Sequence, residues 1–171
     1  MTVMSPLIQD DRGWESSETF REGMRQLASG VSIVTGGTMA MPVGLVATAV
    51  CSVSVEPATL LVSINHAASA FGTISATERL TVNVLGTQHE DLVAQFSRPE
   101  RRGERFRSGP WVGEGVDPPV LEDALAVFEC RVVQSHPYFT HTLFLARPER
   151  VRVSGGRPLV YFSRGFSGLA G

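Results

Sequence analysis

The chain has 171 residues and a net charge of −2, with 15 basic and 17 acidic side chains. This length is typical of one domain, and the near-neutral charge gives no reason to expect nucleic acid or a membrane surface as a partner. Every basic residue is an arginine, which excludes lysine Schiff-base chemistry and the lysine of phosphate-binding loops.

Residues 1–15 show no hydrophobic periodicity, and we predict a flexible N-terminal arm there, followed by one domain over residues 16–171. A helix is predicted at the start of this domain, with Thr19 as its N-cap and Glu22 completing a capping box. Gly30 is the expected stop signal of this helix. Its predicted apolar face consists of Phe20, Met24, Leu27 and Ala28.

After this helix the hydrophobic pattern changes to that of strands. Strands are predicted over residues 31–35, 43–55, 58–65, 80–85, 124–134, 142–153 and 159–162. Short helices are predicted over residues 69–77 and from Thr87, where Glu90 completes a second capping box. Because turns such as Glu56-Pro57 leave little chain between strands, the pattern favours an antiparallel barrel or sandwich over a parallel α/β sheet.

Several catalytic signatures are missing from the sequence, including the glycine-rich dinucleotide fingerprint and the G-x-S-x-G nucleophile turn. The four histidines lack metal-ligand spacing, so no metal site is expected. Cys51 and Cys130 both lie in apolar runs and are predicted to be buried free thiols. Free thiols, an N-terminus without a signal-peptide pattern and the lack of a membrane-length apolar run predict a cytoplasmic protein.

Two segments leave alternative interpretations open. An arginine cluster lies in the predicted long loop over residues 98–120 and consists of Arg98, Arg101, Arg102, Arg105 and Arg107. It could form a solvated surface balanced by glutamates, or it could clamp a phosphate group. The small residues 46–49 could let a flat ligand approach the backbone, or they could be ordinary core packing.

Eight short motifs follow one another over residues 20–166. In chain order they are Phe20-Arg21 with Met24 and Gly30-Val31, the stretch 44–54, Pro57 with Leu61-Val62, Val82-Asn83-Val84-Leu85, Arg105-Phe106 with Trp111, the stretch 121–130, His141-Thr142-Leu143-Phe144, and Leu159-Val160-Tyr161-Phe162 with Arg164 and Phe166. In this order and spacing, the chain resembles the short-chain flavin reductases, the reductase partners of two-component flavin monooxygenases.

The resemblance implies a mainly β fold, an antiparallel split β-barrel with a few short helices. It implies binding of FMN or FAD, in a homodimer with the flavin near the subunit interface. It also implies hydride transfer from NADH or NADPH to the flavin, chemistry that the cofactors carry and the protein aligns. A flavin-dependent monooxygenase would then receive the reduced flavin.

The resemblance also implies roles for individual residues. The residues that would face the isoalloxazine ring are Val46, Ala47, Thr48 and Ala49. Those that would surround the ribityl phosphate are Asn65, Ala68, Ser69 and Ala70, with charge from Arg101, Arg102 or Arg105. Asn83 is a further candidate cofactor-binding residue. Those that would lie beside the nicotinamide are the candidate catalytic residue His141 together with Tyr161, Arg164 and Phe166.

Two other functions stay open at this point. Phe139-Thr140 stands where the family usually has Gly-Asp, which is consistent with a flavoprotein that retains its flavin and oxidises another small organic substrate. A flavin-binding module without catalysis is the remaining alternative. Oxidation of NAD(P)H that depends on added flavin distinguishes a reductase from both.

Overall fold

The computed structural model describes residues 14–169, so the predicted arm over residues 1–15 lies almost wholly outside the described residues. The helices are α1 (Ser17–Met24), α2 (Phe71–Thr77) and α3 (Glu90–Phe96). Short 3₁₀ segments cover Thr87–His89 and Pro99–Glu104. The strands are β1 (Ser29–Gly30), β2 (Ser32–Thr38), β3 (Met41–Ala47), β4 (Val50–Val55), β5 (Ala58–Asn65), β6 (Arg79–Val84), β7 (Trp111–Val112), β8 (Val120–Leu121), β9 (Ala126–Tyr138), β10 (His141–Val153), β11 (Leu159–Phe162) and β12 (Gly165–Gly168).

The strands form antiparallel sheets, which confirms the predicted mainly β, antiparallel class. Seven of them make one sheet in the order β3-β2-β6-β9-β10-β5-β4. A smaller sheet has the order β1-β11-β12, and β7 pairs with β8. In β5 the alternating residues Leu60, Val62 and Ile64 are buried, as expected for a strand with one face on the core.

The large sheet is strongly curled. Its two edge strands, β3 and β4, are consecutive in the chain and are joined only by Thr48-Ala49. Seven strands laid flat would separate the two edges by roughly 29 Å, whereas the link from Ala47 to Val50 reaches about 11 Å at most. The two edges must therefore approach each other at this link.

The prediction of one strand over residues 43–55 is wrong, because the chain changes from one sheet edge to the other within it. Thr48 and Ala49 belong to neither strand. The carbonyl of Ala49 accepts a hydrogen bond from Ser63 N on β5 at 3.1 Å. The predicted isoalloxazine-facing segment thus spans the end of β3 and the corner beyond it.

Two apolar clusters form the core. One lies between the large sheet and α2 and includes Val62, Ile74 and Phe144. The other lies under α3 and the β7-β8 pair and includes Phe96 and Trp111. The predicted long loop 98–120 therefore carries structure of its own, because Trp111 anchors it to the second cluster.

Helix α1 differs from its prediction in its cap, its packing and its end, which is Met24 and not the predicted stop at Gly30. Ser16 is the N-cap, and its hydroxyl accepts a hydrogen bond from Thr19 N at 3.1 Å. Thr19 was the wrong choice because the helix begins earlier, and the Ser16 hydroxyl already satisfies a free N–H of the first turn. No residue of α1 is buried, and Phe20 and Met24 of the predicted apolar face are 63% and 47% exposed.

The predicted capping box at Thr87 and Glu90 is also replaced. The chain forms the 3₁₀ segment Thr87–His89 before α3 begins. The reciprocal contact comes from His89, whose Nδ1 accepts a hydrogen bond from Gly86 N at 3.0 Å. A histidine ring therefore provides the local hydrogen bond that the pattern assigned to a glutamate.

The two cysteines have opposite environments. Cys130 is buried, and burial raises the pKa of its thiol to about 12, with the carboxylates of Glu149 and Glu129 adding to the shift. Cys51 is exposed on β4, so the prediction that both thiols are buried is wrong for Cys51. An apolar run does not reveal that β4 is an edge strand, on which residues 14–169 leave Cys51 exposed.

Candidate functional site

A cavity of about 400 Å³ opens between β3, the turn after β5 and the end of α3. Its lining consists of Leu45, Val46, Asn65, Ala68, Ser69, Phe96, Ser97, Arg102 and Arg105. Six of these residues were predicted from the sequence to bind the cofactor: Val46, Asn65, Ala68, Ser69, Arg102 and Arg105. The fold thus brings Val46 of the segment 46–49, the turn before α2 and part of the arginine cluster to one place.

Arg105 is the buried cation of this cavity. Its side chain is 8% exposed, and Nη1 donates to the Gly44 carbonyl at 2.9 Å and to Ser69 Oγ at 3.2 Å. The guanidinium also lies 5.6 Å from the centre of the Phe96 ring, within the range of a cation–π contact.

The charge of Arg105 has no carboxylate partner within ion-pair distance among residues 14–169, and its Nε is buried without a hydrogen-bond acceptor. Burial, and secondarily the charge of Arg102, lower the pKa of Arg105. A buried donor of a cation without a partner is costly. An anion in the cavity would supply both the acceptor and the opposite charge.

An aromatic cluster forms the wall behind this cation. The ring centres of Phe96 and Phe106 lie 5.2 Å apart, and each lies within 5.7 Å of the ring of Trp111. Gly44 on β3 allows this close approach, because a Cβ there would lie 2.8 Å from Phe96 and 3.2 Å from Phe106. The same glycine supplies the carbonyl that holds Arg105.

The four residues of the small-residue segment have different environments. Val46 lines the cavity, Ala47 is buried in the core, and Thr48 and Ala49 are exposed at the corner between β3 and β4. Ala70 is fully buried at the start of α2 and has no polar side chain to offer. Ser69 is therefore the polar side chain of this turn that contacts Arg105.

The turn after β5 is held by its own side chains and by the β9–β10 hairpin. Asn65 Oδ1 accepts from Ala67 N at 2.8 Å. His66 N donates to the Thr140 carbonyl at 2.9 Å, and His66 Nε2 lies 3.0 Å from Thr142 Oγ1. The cavity edge and the hairpin tip are thus one connected unit.

His141 begins β10 and lies between two residues of interest. Its Cα partners are Asn65 on β5 and Tyr138 on β9. Directly opposite residues of an antiparallel pair share one face of the sheet, so His141 lies on the face of Asn65, at the rim of the cavity. The ring is half-buried, and Nδ1 lies 2.9 Å from Thr140 Oγ1.

Other predicted site residues lie outside this cavity. Asn83 is fully buried, donates to the Ile33 carbonyl and accepts from Leu121 N. Its polar atoms therefore connect β2, β6 and β8.

The predicted nicotinamide neighbours other than His141 are on the small sheet. The rings of Tyr161 and Phe166 pack at 5.4 Å, and the guanidinium of Arg164 is 4.0 Å from Glu22 of α1. Arg101 lines a separate cavity of about 430 Å³ and lies 3.9 Å from Glu104.

Leu45, Phe96 and Ser97 were missed as cavity residues. Phe96 points inward from α3, and its ring packs against the Arg105 guanidinium. The Arg105-Phe106 motif could have pointed to Phe96, because both of its side chains pack against the Phe96 ring. Leu45 and Ser97 carry no comparable signal, since only the tertiary fold brings them to the cavity.

Residues 14–169 contain neither a metal-ligand cluster nor a membrane-spanning helix. No cluster of three or more His, Cys, Asp or Glu side chains could hold a metal ion. No helix in this part of the chain has the length and apolar character needed to cross a membrane.

Comparison with known proteins shows the family of this chain. The family model of the flavin reductase like domain matches residues 24–170. An FMN reductase (NADH) RutF from Agrobacterium fabrum is 38% identical over 151 residues, covering 88% of this chain and 87% of the relative.

Two solved structures extend the comparison. A crystal structure of a candidate flavin reductase from Haemophilus somnus superposes with a TM-score of 0.86 at 33% identity, covering 91% of this chain and all of that one. BorF, the flavin reductase component of a bacterial two-component tryptophan halogenase, superposes with a TM-score of 0.81 at 27% identity, covering 90% and 98% of the two chains. The chain belongs to the flavin reductase like domain family.

Proposed function

We propose that this protein is an NADH-dependent FMN reductase that supplies reduced flavin to a separate flavin-dependent monooxygenase. The observation that carries the proposal is the buried Arg105 cation, which lacks an anionic partner among residues 14–169 and lies in a cavity that Leu45 and Val46 of β3 also line. A phosphate group and a flat ring system together match these two features. The names of the FMN reductase (NADH) relatives support FMN as the flavin and NADH as the donor.

In this proposal, different residues of the cavity bind different parts of the flavin. Arg105, Ser69 and Arg102 bind the ribityl phosphate, and the segment 46–49 receives the isoalloxazine ring. The flavin supplies the electron acceptor for the hydride of the nicotinamide. Because alignment of the two rings is the main catalytic requirement, the site needs no acid–base pair.

His141 would orient the nicotinamide at the rim of the cavity. Thr140 Oγ1, at 2.9 Å from Nδ1, restrains the imidazole ring so that Nε2 faces away from this contact. Asn65, its neighbour on β5, shapes the turn against which the flavin would lie.

The direct test is a rate of NADH oxidation by purified protein with and without FMN. We expect oxidation that depends on added FMN and follows saturation in both substrates. No oxidation with FMN or FAD would overturn the proposal. A yellow protein whose bound flavin resists NADH and is reduced by an organic substrate would favour the flavin-retaining alternative, and a colourless inactive protein that does not bind flavin would overturn both.

Transfer to a separate oxygenase requires reduced flavin to leave the protein. BorF, a structural relative of this chain, is named as the flavin reductase component of a two-component tryptophan halogenase. We expect anaerobic ultrafiltration after reduction to recover most of the reduced FMN in the filtrate. Retention of reduced FMN with the protein would contradict delivery to a partner.

The proposed assembly is a homodimer of split β-barrels. The curled sheet has the two adjoining edges that a split barrel requires. An apolar groove of about 340 Å³ is lined by residues of β4, β5, β6 and β9, among them Val55, and Val53 and Val55 on β4 are 51% and 87% exposed. A second copy covering this groove would remove an exposed apolar strand edge from water.

This dimer gives an expectation for thiol chemistry, because Cys51 lines the groove. With Ellman's reagent at pH 8, we expect slow reaction of Cys51 in the native dimer, faster reaction as dilution releases the monomer, and no reaction of Cys130 until denaturant is added. Cys51→Ser should remove the concentration-dependent phase, whereas Cys130→Ser should leave it. Fast reaction of Cys51 at every concentration, together with a monomeric mass by light scattering, would rule out this interface.

A further inference from the structure

The β9–β10 hairpin closes through the two residues Phe139-Thr140, since Tyr138 and His141 are directly paired. Phe139 has a φ of +46°. Two-residue hairpin loops with a positive φ at the first position favour glycine, which reaches this region without steric cost. A bulky aromatic residue held in this conformation is strained, so the turn itself does not explain the phenylalanine.

The ring of Phe139 also contributes little to the core. Tyr138 and Phe139 are 67% and 69% exposed, among the more exposed large side chains of the described residues. Their ring centres lie 4.8 Å apart at an interplanar angle of 89°. In this edge-to-face arrangement one ring presents its edge to the other, so an open aromatic face remains available to a further ring.

The aromatic pair lies close to the candidate flavin cavity. Tyr138, His141 and Asn65 are consecutive partners across three strands, so they share one face of the sheet, with Tyr138 and Asn65 separated by about 10 Å. The hydrogen bond from His66 N to the Thr140 carbonyl holds the hairpin tip against the cavity turn. The exposed rings are therefore at the rim where a second substrate would enter.

We propose that Tyr138 and Phe139 form a stacking platform for the adenine ring of NADH. This inference rests on the proposed function. Hydride transfer requires the nicotinamide to lie flat on the isoalloxazine, inside the cavity and next to His141. The remaining planar ring of NADH is adenine, which in an extended NADH would lie outside the cavity and could stack on an exposed aromatic face. This contact would explain a phenylalanine at a position whose φ of +46° favours glycine.

The test compares NADH with reduced nicotinamide mononucleotide, which has the same nicotinamide and lacks the adenosine half. For Phe139→Gly we expect the KM for NADH to rise roughly tenfold with kcat unchanged, because loss of one base-stacking contact removes binding made equally in ground state and transition state. The KM for the mononucleotide should be the same in both proteins. Since glycine relieves the positive φ, the unfolding temperature should not fall.

Two further variants complete the test. Phe139→Tyr keeps an aromatic face and should keep the wild-type KM for NADH. Met41→Ala removes an equally exposed apolar side chain from the β2–β3 hairpin, 77% exposed, at the end of β3 opposite to the cavity, and should change neither KM.

The possible results separate this inference from the proposed function. A wild type that does not oxidise NADH would overturn the proposed function and with it the platform. An active wild type with an unaltered KM in Phe139→Gly would overturn the platform alone, as would an equal rise for NADH and the mononucleotide. A loss of dimer mass in Phe139→Gly would show instead that the aromatic pair contacts the second subunit.

Discussion

Replacing Arg105 with methionine is expected to raise the KM for FMN about 30-fold, because hydrogen bonds to a charged group contribute roughly 1.5–3 kcal/mol. The same variant should lose the preference of the wild type for FMN over riboflavin, which lacks the phosphate. Methionine has a similar length and leaves no unpaired donor in the buried position. Steady-state NADH oxidation with each flavin measures both effects.

The comparison with riboflavin distinguishes phosphate binding from support of the cavity. Arg105 also holds Gly44 and Ser69 through hydrogen bonds, so its loss could disturb the cavity itself. In that case the KM values for FMN and riboflavin would rise together, and the assignment of Arg105 to the phosphate would be wrong. Arg107→Met, in the same cluster but exposed to solvent, should change the preference for FMN by less than about twofold.

Arg105→Lys provides a second variant should the methionine be poorly tolerated. Lysine keeps a positive charge but cannot make two directed contacts from one planar group. We expect an intermediate KM for FMN and a reduced preference over riboflavin. A wild-type preference in Arg105→Lys would mean that charge alone, rather than the geometry of the guanidinium, recognises the phosphate.

The strand pattern and the order of motifs were sufficient to predict the class of fold and most of the cavity lining. Strand β5 was predicted with its observed bounds, because clear alternation and turn residues mark both ends. The break at Thr48-Ala49 could not be predicted in the same way. No glycine or proline marks it, and its cause is the curling of a sheet whose pairing is set by distant strands.

Individual residues also show that some features can be predicted from the local sequence, whereas others depend on the tertiary fold. The arginine cluster was ambiguous in the sequence. In the fold, Arg105 is buried, whereas Arg101 lines a separate cavity. Asn83 belongs to a matching motif, yet its amide connects Ile33 and Leu121 within the core. Both outcomes depend on which neighbours the fold brings to each side chain, and spacing along one strand or loop does not encode that.

Gly44→Ala is expected to damage both stability and flavin binding, although it adds a single methyl group. The new Cβ would lie 2.8 Å from Phe96, whose ring is packed between Phe106, Trp111 and the Arg105 guanidinium. Overpacking of this kind costs about 1–3 kcal/mol, which for a domain of this size lowers the unfolding temperature by roughly 3–10 °C.

The effect on FMN follows from the same contacts. Moving Phe96 away from β3 shifts the cavity wall, and the Gly44 carbonyl that accepts from Arg105 moves with the backbone. We therefore expect the KM for FMN to rise several-fold, as a displacement of about 1 Å at a binding group has large effects. Thermal unfolding and NADH oxidation with varied FMN measure the two consequences.

Gly72→Ala is the matched control, because it makes the same substitution where the structure offers open space. No atom lies within 4 Å of a Cβ at Gly72, which is inside α2. Gly72 is the second residue of α2, and alanine in a helix is favoured over glycine by up to about 1 kcal/mol, so the unfolding temperature should rise by at most about 4 °C. Opposite shifts in the two variants would locate the effect in the contact of β3 with Phe96, whereas equal shifts would show that this close approach does not constrain the cavity.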